Sequence, residues 1–79
     1  MTLDQLRPEQ HAKVVAVGGE GPFRRRLLEL GLVPGTPVSR SGQAPLGDPL
    51  SFRLRGAVVC LRRVDAQLVE VAPDTEGGR

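Results

Sequence analysis

Tryptophan and tyrosine are missing from this 79-residue chain, and phenylalanine occurs only at Phe23 and Phe52. Leucine and valine must therefore fill any core. The same shortage argues against two modes of recognition, because there is no aromatic-lined groove for a polyproline helix and little on which nucleic-acid bases can stack. Cysteine is as scarce. Cys60 stands alone, which rules out an intramolecular disulfide and, in so small a domain, favours a reducing compartment, the cytoplasm. Within the apolar run Val58-Val59-Cys60-Leu61 it reads as a small buried hydrophobe, not a reactive thiol. His11 is the single imidazole. A nucleophile-and-base mechanism needs a base beside its Ser, Cys or Thr, so no triad assembles; the chain reads as a non-enzyme and His11 as an exposed strand-end residue.

Long apolar runs are absent too. None approaches the roughly 20 residues that cross a bilayer, so membrane association is expected only through a partner. Eleven basic residues against nine acidic ones leave a net charge of +2, too little to assign a nucleic-acid or anionic-lipid partner. The glycines of Gly18-Gly19-Glu20-Gly21-Pro22 lack the Lys-Ser/Thr that completes a phosphate-binding loop, and this stretch reads as a plain connection. A chain of this length has room for one domain and buries only about 60–65% of its unfolded surface, which favours a compact closed sheet.

What is present is a sequence of local instructions. Thr2 can cap a single turn that turns Leu3 and Leu6 inward, and Pro8 stops it. His11 to Val17 reads as a strand with Ala12, Val14 and Ala16 on one face and Lys13, Val15 and Val17 on the other. Phe23, Leu27 and Leu30 recur at i, i+4 and i+7, predicting a helix that buries that face, with Pro22 near its first turn. Gly31 suits the left-handed residue that ends a helix at about Leu30, and Pro34-Gly35 a turn with positive φ at the glycine. Thr36 to Arg40 is a second strand candidate. Leu50, Phe52 and Leu54 alternate with polar residues as a third, Arg55-Gly56 turns, and Ala57 to Leu61 completes a hairpin. Arg62 to Ala66 suits a single 3₁₀ turn, and Gln67 to Val71 a last strand. About five short strands with one short helix between the first and second make the chain mainly β, a small barrel. Residues 74–79 are expected to be a solvated tail.

The order of these pieces resembles the FeoA family, small cytoplasmic proteins of bacterial ferrous iron transport with an SH3-like barrel. The likeness is carried by Arg26-Leu27-Leu28-Glu29-Leu30-Gly31-Leu32-Val33-Pro34-Gly35, by Pro45-Leu46-Gly47-Asp48-Pro49-Leu50, and by Leu61-Arg62-Arg63-Val64-Asp65-Ala66 running on to Val69-Glu70-Val71. Leu3-Asp4-Gln5-Leu6 also fits, whereas Glu9-Gln10 stands where a glycine is expected. The resemblance implies an FeoA-like domain over residues 1–73. It also implies a non-enzymatic accessory role on FeoB, a membrane transporter with a cytoplasmic GTP-binding domain, with recruitment to the inner membrane through that partner. Self-association stays open. A similar SH3-like domain ends iron-dependent repressors, but their DNA- and metal-binding parts have no counterpart here. A free-standing regulatory domain of that kind and a small-barrel nucleic-acid binder are the alternatives.

No cofactor is expected, and no metal site, because ferrous ion wants His and carboxylate ligands in one constellation and Asp48, Asp65 and Glu70 are scattered. Arg24, Arg25 and Arg26 oppose the helix dipole and gain no stability from it, which makes them candidates for partner contact. Leu28, Leu32 and Val33 near the helix end are the apolar candidates, unless they complete the core. Phe23, Leu27, Leu30, Gly31, Pro34, Gly35, Gly47 and Pro49 are expected to be structural.

Overall fold

A computed structural model describes residues 1–42 and 47–74; the Ala44-Pro45-Leu46 part of the expected connection, and the tail from residue 75, lie outside them. A 3₁₀ turn at Leu3–Gln5 leads into β1 (His11–Val17), α1 (Gly21–Glu29), β2 (Pro37–Arg40), β3 (Leu50–Leu54), β4 (Ala57–Leu61), the short helix α2 (Arg63–Ala66) and β5 (Val69–Pro73). The strands form one antiparallel sheet in the order β4-β3-β2-β1-β5. The chain is thus mainly β, with five strands and the main helix between β1 and β2, as its patterning predicts. Phe52, Leu50, Val69, Val71 and the two leucines of the first turn, Leu3 and Leu6, fill the centre.

The β3–β4 hairpin turns on Arg55 and Gly56, both with positive φ (53° and 76°), the two-residue turn whose twist matches that of the strands. Val33-Pro34-Gly35-Thr36 closes with a Thr36 amide to Val33 carbonyl bond of 3.0 Å and a φ of 92° at Gly35, as the proline-glycine pair predicts. Gly47 and Pro49 flank Asp48, whose Oδ1 accepts the Arg63 amide at 2.9 Å while the Gly47 carbonyl accepts the Arg63 guanidinium at 3.1 Å. This end of the connection is thereby fixed to α2.

Two strands depart from their expected form. In β1 the register on β5 slips between Val14 and Ala16. The bulge adds one residue, so Val15 and Ala16 both face solvent and Val17, not Ala16, joins Ala12 and Val14 inside. The last strand begins at Val69, because Gln67 and Leu68 close α2 (Leu68 amide to Asp65 carbonyl, 3.0 Å), and it runs through Pro73. The Val71 amide points outward to the Met1 carbonyl at 2.8 Å. Alternation then puts the Pro73 nitrogen on the same outer side, where the ladder needs no donor. Within segment 62–66, Arg63–Ala66 is a four-residue α-helix with a 3₁₀-like close, not a bare 3₁₀ turn.

Glu9 has a φ of 68°, in the left-handed region that costs a non-glycine residue roughly 1 kcal/mol. Its carboxylate meets Arg53 at 3.2 Å, but both side chains are largely exposed, so the pair offsets at most about 1 kcal/mol. Glycine at this position relieves the strain and loosens the unfolded chain by a similar amount. Glu9→Gly is therefore expected to stay within about 1 kcal/mol of the parent in urea unfolding, while Glu9→Val, β-branched at the same φ, falls further. A glycine variant less stable than the valine variant is incompatible with this account.

Candidate functional site

The helix sits on the sheet in an orientation its hydrophobic spacing did not predict. Side chains advance about 100° per residue, so Phe23 and Leu30 lie within about 20° of each other, with Leu27 about 40° and Leu28 about 140° round from Phe23. Leu27 is buried and Leu28 half-buried against the core, whereas Phe23 and Leu30 are 43% and 37% exposed. The buried direction therefore runs between Leu27 and Leu28. Arg24 falls along it, and its Nε donates to the Val17 carbonyl at 3.1 Å, tying α1 to the end of β1.

The helix terminus explains this rotation. The Gly31 amide donates to the Leu28 carbonyl at 3.0 Å and the Leu32 amide to the Leu27 carbonyl at 3.3 Å, with Gly31 at φ 106°. This pair of bonds is the Schellman arrangement, which brings the residue after the glycine back onto the residue four before it. Leu32 accordingly packs inward beside Leu27 and is fully buried, out of reach of any partner. A side chain at Gly31 would place its Cβ 3.2 Å from Leu54, so the close approach of the turn to β3 also favours glycine here.

Phe23, Arg26, Leu27 and Leu30 form one wall of a groove of about 560 Å³. Val59, Cys60, Leu61 and Arg62 form the other, with Pro49 and Asp65 completing it. Cys60 is exposed, contrary to the expected burial, because it pairs with Ser51 across the hairpin and so lies on the outward face, next to the Arg53–Val58 pair. The groove is lined by apolar side chains together with two guanidiniums and one carboxylate. Neither Arg26, Arg62 nor Asp65 enters an ion pair among the described residues. Such a surface suits an apolar anchor with charged neighbours, the usual make-up of an interaction patch.

The three arginines of α1 have separate fates. Arg24 is a tether, Arg25 is exposed, and Arg26 lines the groove. Val33 is half-buried in the turn. His11 is exposed at the start of β1. Among the described residues no group of three or more His, Cys, Asp or Glu side chains could hold a metal ion; Glu70 instead meets the N-terminal ammonium at 3.1 Å and Asp48 the Arg63 amide. No helix there is long and apolar enough to cross a membrane. Arg40, which the sequence did not single out, is buried and donates from Nη1 to the Leu6 carbonyl at 2.8 Å, fastening the first turn to β2.

Over residues 1–73 the chain matches the model of the FeoA domain. It is 42% identical over 71 residues to a Porphyromonas gingivalis protein described as an Fe(2+) transport protein A/Fe(2+) transporter FeoB fusion protein; the match covers 90% of this chain and 8% of that protein, so the chain spans only a small part of its length. The solution structure of the FeoA protein from Chlorobium tepidum superposes with a TM-score of 0.84 at 37% identity, covering 92% of this chain and 70% of that one. The Stenotrophomonas maltophilia FeoA structure, a zinc complex described as an SH3 domain protein, superposes with a TM-score of 0.79 at 33% identity, covering 90% and 88%.

Proposed function

Since the chain belongs to the FeoA family, we propose that it is a non-enzymatic accessory protein of ferrous iron uptake that binds the cytoplasmic, GTP-binding part of a FeoB transporter through the groove between α1 and β4. The observation that carries the reading is the relative in which a segment 42% identical to this chain is joined covalently to a FeoB transporter. Fusion of two modules raises their effective concentration, and it serves two modules that work in contact. The groove is the surface on this domain best suited to that contact. It leaves Phe23 and Leu30 partly exposed in a small domain with little apolar surface to spare, and among the described residues its guanidiniums are unpaired.

The reading is tested by titrating the ¹⁵N-labelled domain with the purified cytoplasmic portion of a FeoB transporter from the same source. Amide shifts concentrated in residues 23–30 and 59–62 are the expected result. Shifts confined to the surface around Pro37, Arg53 and Gly56 would move the contact surface, and no shift at high partner concentration would remove the proposed partner.

A further inference from the structure

We propose that the outer edge of β4 accepts an extended segment of a partner protein by strand addition, and that this segment is apolar at its centre and acidic at the end that meets Arg62. The proposal rests on the interaction reading above and supplies the chemistry of what fills the groove.

Of the sheet's two edges, the described residues cover one. On β5 the Val71 amide donates to the Met1 carbonyl at 2.8 Å, Thr2 bridges to Glu70, and the N-terminal ammonium meets the Glu70 carboxylate. β4 pairs with β3 alone, and among the described residues no backbone hydrogen bond outside that ladder reaches residues 57–61. Exposed edges are ordinarily guarded by a charge, a proline or a bulge. β4 has none of these. Its register is regular from the Leu50–Leu61 pair to the Leu54–Ala57 pair, its sequence Ala57-Val58-Val59-Cys60-Leu61 carries no charge, and Val58 is 60% exposed. A strand laid about 4.8 Å outside β4 enters the groove, where side chains on one of its faces cover Phe23 and Leu30. Backbone pairing gives such an interaction affinity, and the alternating side chains give it specificity.

Charge selects the occupant. Arg62 stands at one end of the apolar edge with Arg26 across the groove, two guanidiniums against the one carboxylate of Asp65, and none of the three has an ion-pair partner among the described residues. Arg55, at the other end, turns back toward the start of β2, where its Nη2 donates to Thr36 Oγ1 at 3.5 Å. A second copy of this chain is a poor fit. Parallel pairing of two β4 edges in register sets Arg62 against Arg62, and like charges opposite each other destabilise a strand pair. Antiparallel pairing sets Arg62 against the Gly56 turn, which offers no acidic partner. An acidic residue at the end of the incoming strand that lies beside Arg62 and Arg26 is complementary to them.

The test uses synthetic peptides of about nine residues with an alternating Thr/Val centre, one flanked by Asp-Glu, one by Lys-Lys, and one Asp-Glu peptide N-methylated at the residues whose amides would pair with β4. NMR with the labelled domain should show the acidic peptide shifting residues 57–62 and 23–30 and slowing hydrogen exchange along β4. Affinity should fall about tenfold or more with Lys flanks or in an Arg62→Glu variant, and binding should be lost on N-methylation. Equal binding of the Lys-flanked peptide overturns the charge assignment, and equal binding of the N-methylated one overturns strand addition. No binding of any peptide at millimolar concentration also overturns strand addition, while the parallel titration with the transporter's cytoplasmic portion decides the wider reading separately. A concentration-dependent dimer in sedimentation velocity that disappears in Val58→Lys would assign the edge to a second copy instead.

Discussion

Replacing Leu32 by alanine is expected to lower the free energy of unfolding by about 2–5 kcal/mol, the range for truncating a fully buried leucine. A domain of this size has only about 4–12 kcal/mol in total, so this one side chain accounts for a large share. Leu32 has no exposed surface, and it lies against Leu27 through the bonds that end α1, so little relaxation is available to fill the void. Urea unfolding should show the midpoint falling with the slope unchanged, and Tm should drop by roughly 10 °C or more. Leu30→Ala, two residues away and partly exposed, is the internal control and should cost about 1 kcal/mol or less. If Leu32→Ala unfolds within 1 kcal/mol of the parent protein, the packing of the helix terminus described above is wrong.

The contrast between these two leucines shows where the sequence was legible. Gly31 announced the end of the helix, and Arg55-Gly56 and Pro34-Gly35 announced their turns, because each depends on backbone conformation that few residues tolerate. The 2.0-residue period placed β3 for the same local reason. The rotation of α1 was harder to read. By spacing alone Phe23, Leu27 and Leu30, within about 60° of arc, make the tighter stripe, and the choice against it is made by the return of the chain after Gly31. The signal was present in Leu32 itself, since an apolar residue directly after the capping glycine packs back onto the last turn. The bulge in β1 left no trace in a run of Ala and Val, where either face is acceptable to the core. The exposure of Cys60 is not visible in its own apolar run but follows from the hairpin register: the Arg55-Gly56 turn pairs Ser51 with Cys60 and Arg53 with Val58, so both β4 residues share the outward face of the arginine.

Phe23→Ser is expected to separate binding from stability. The ring is 43% exposed, so removing it forfeits only part of the burial energy of a phenylalanine, about 1–1.5 kcal/mol, and the fold should survive. In the groove the same ring is the largest apolar side chain available to a partner, and loss of an anchor of this kind costs about 2 kcal/mol or more, roughly 30-fold in Kd. Leu28→Ser should show the opposite pattern, since Leu28 packs against the core and does not line the groove: a larger loss in urea unfolding, with affinity for the transporter's cytoplasmic portion nearly intact once the folded fraction is accounted for. Arg25→Ala should change neither, whereas Arg26→Ala, on the groove wall, should weaken binding in a salt-dependent way. Calorimetric titration beside denaturation reads both quantities for each variant. Unchanged affinity in Phe23→Ser would sink the groove as the contact surface, because no stability argument accounts for its position. A chain with only two phenylalanines gives one, Phe52, to the centre of its core. It leaves the other on the wall of an open groove, across from the edge of β4, which no backbone of the described residues covers.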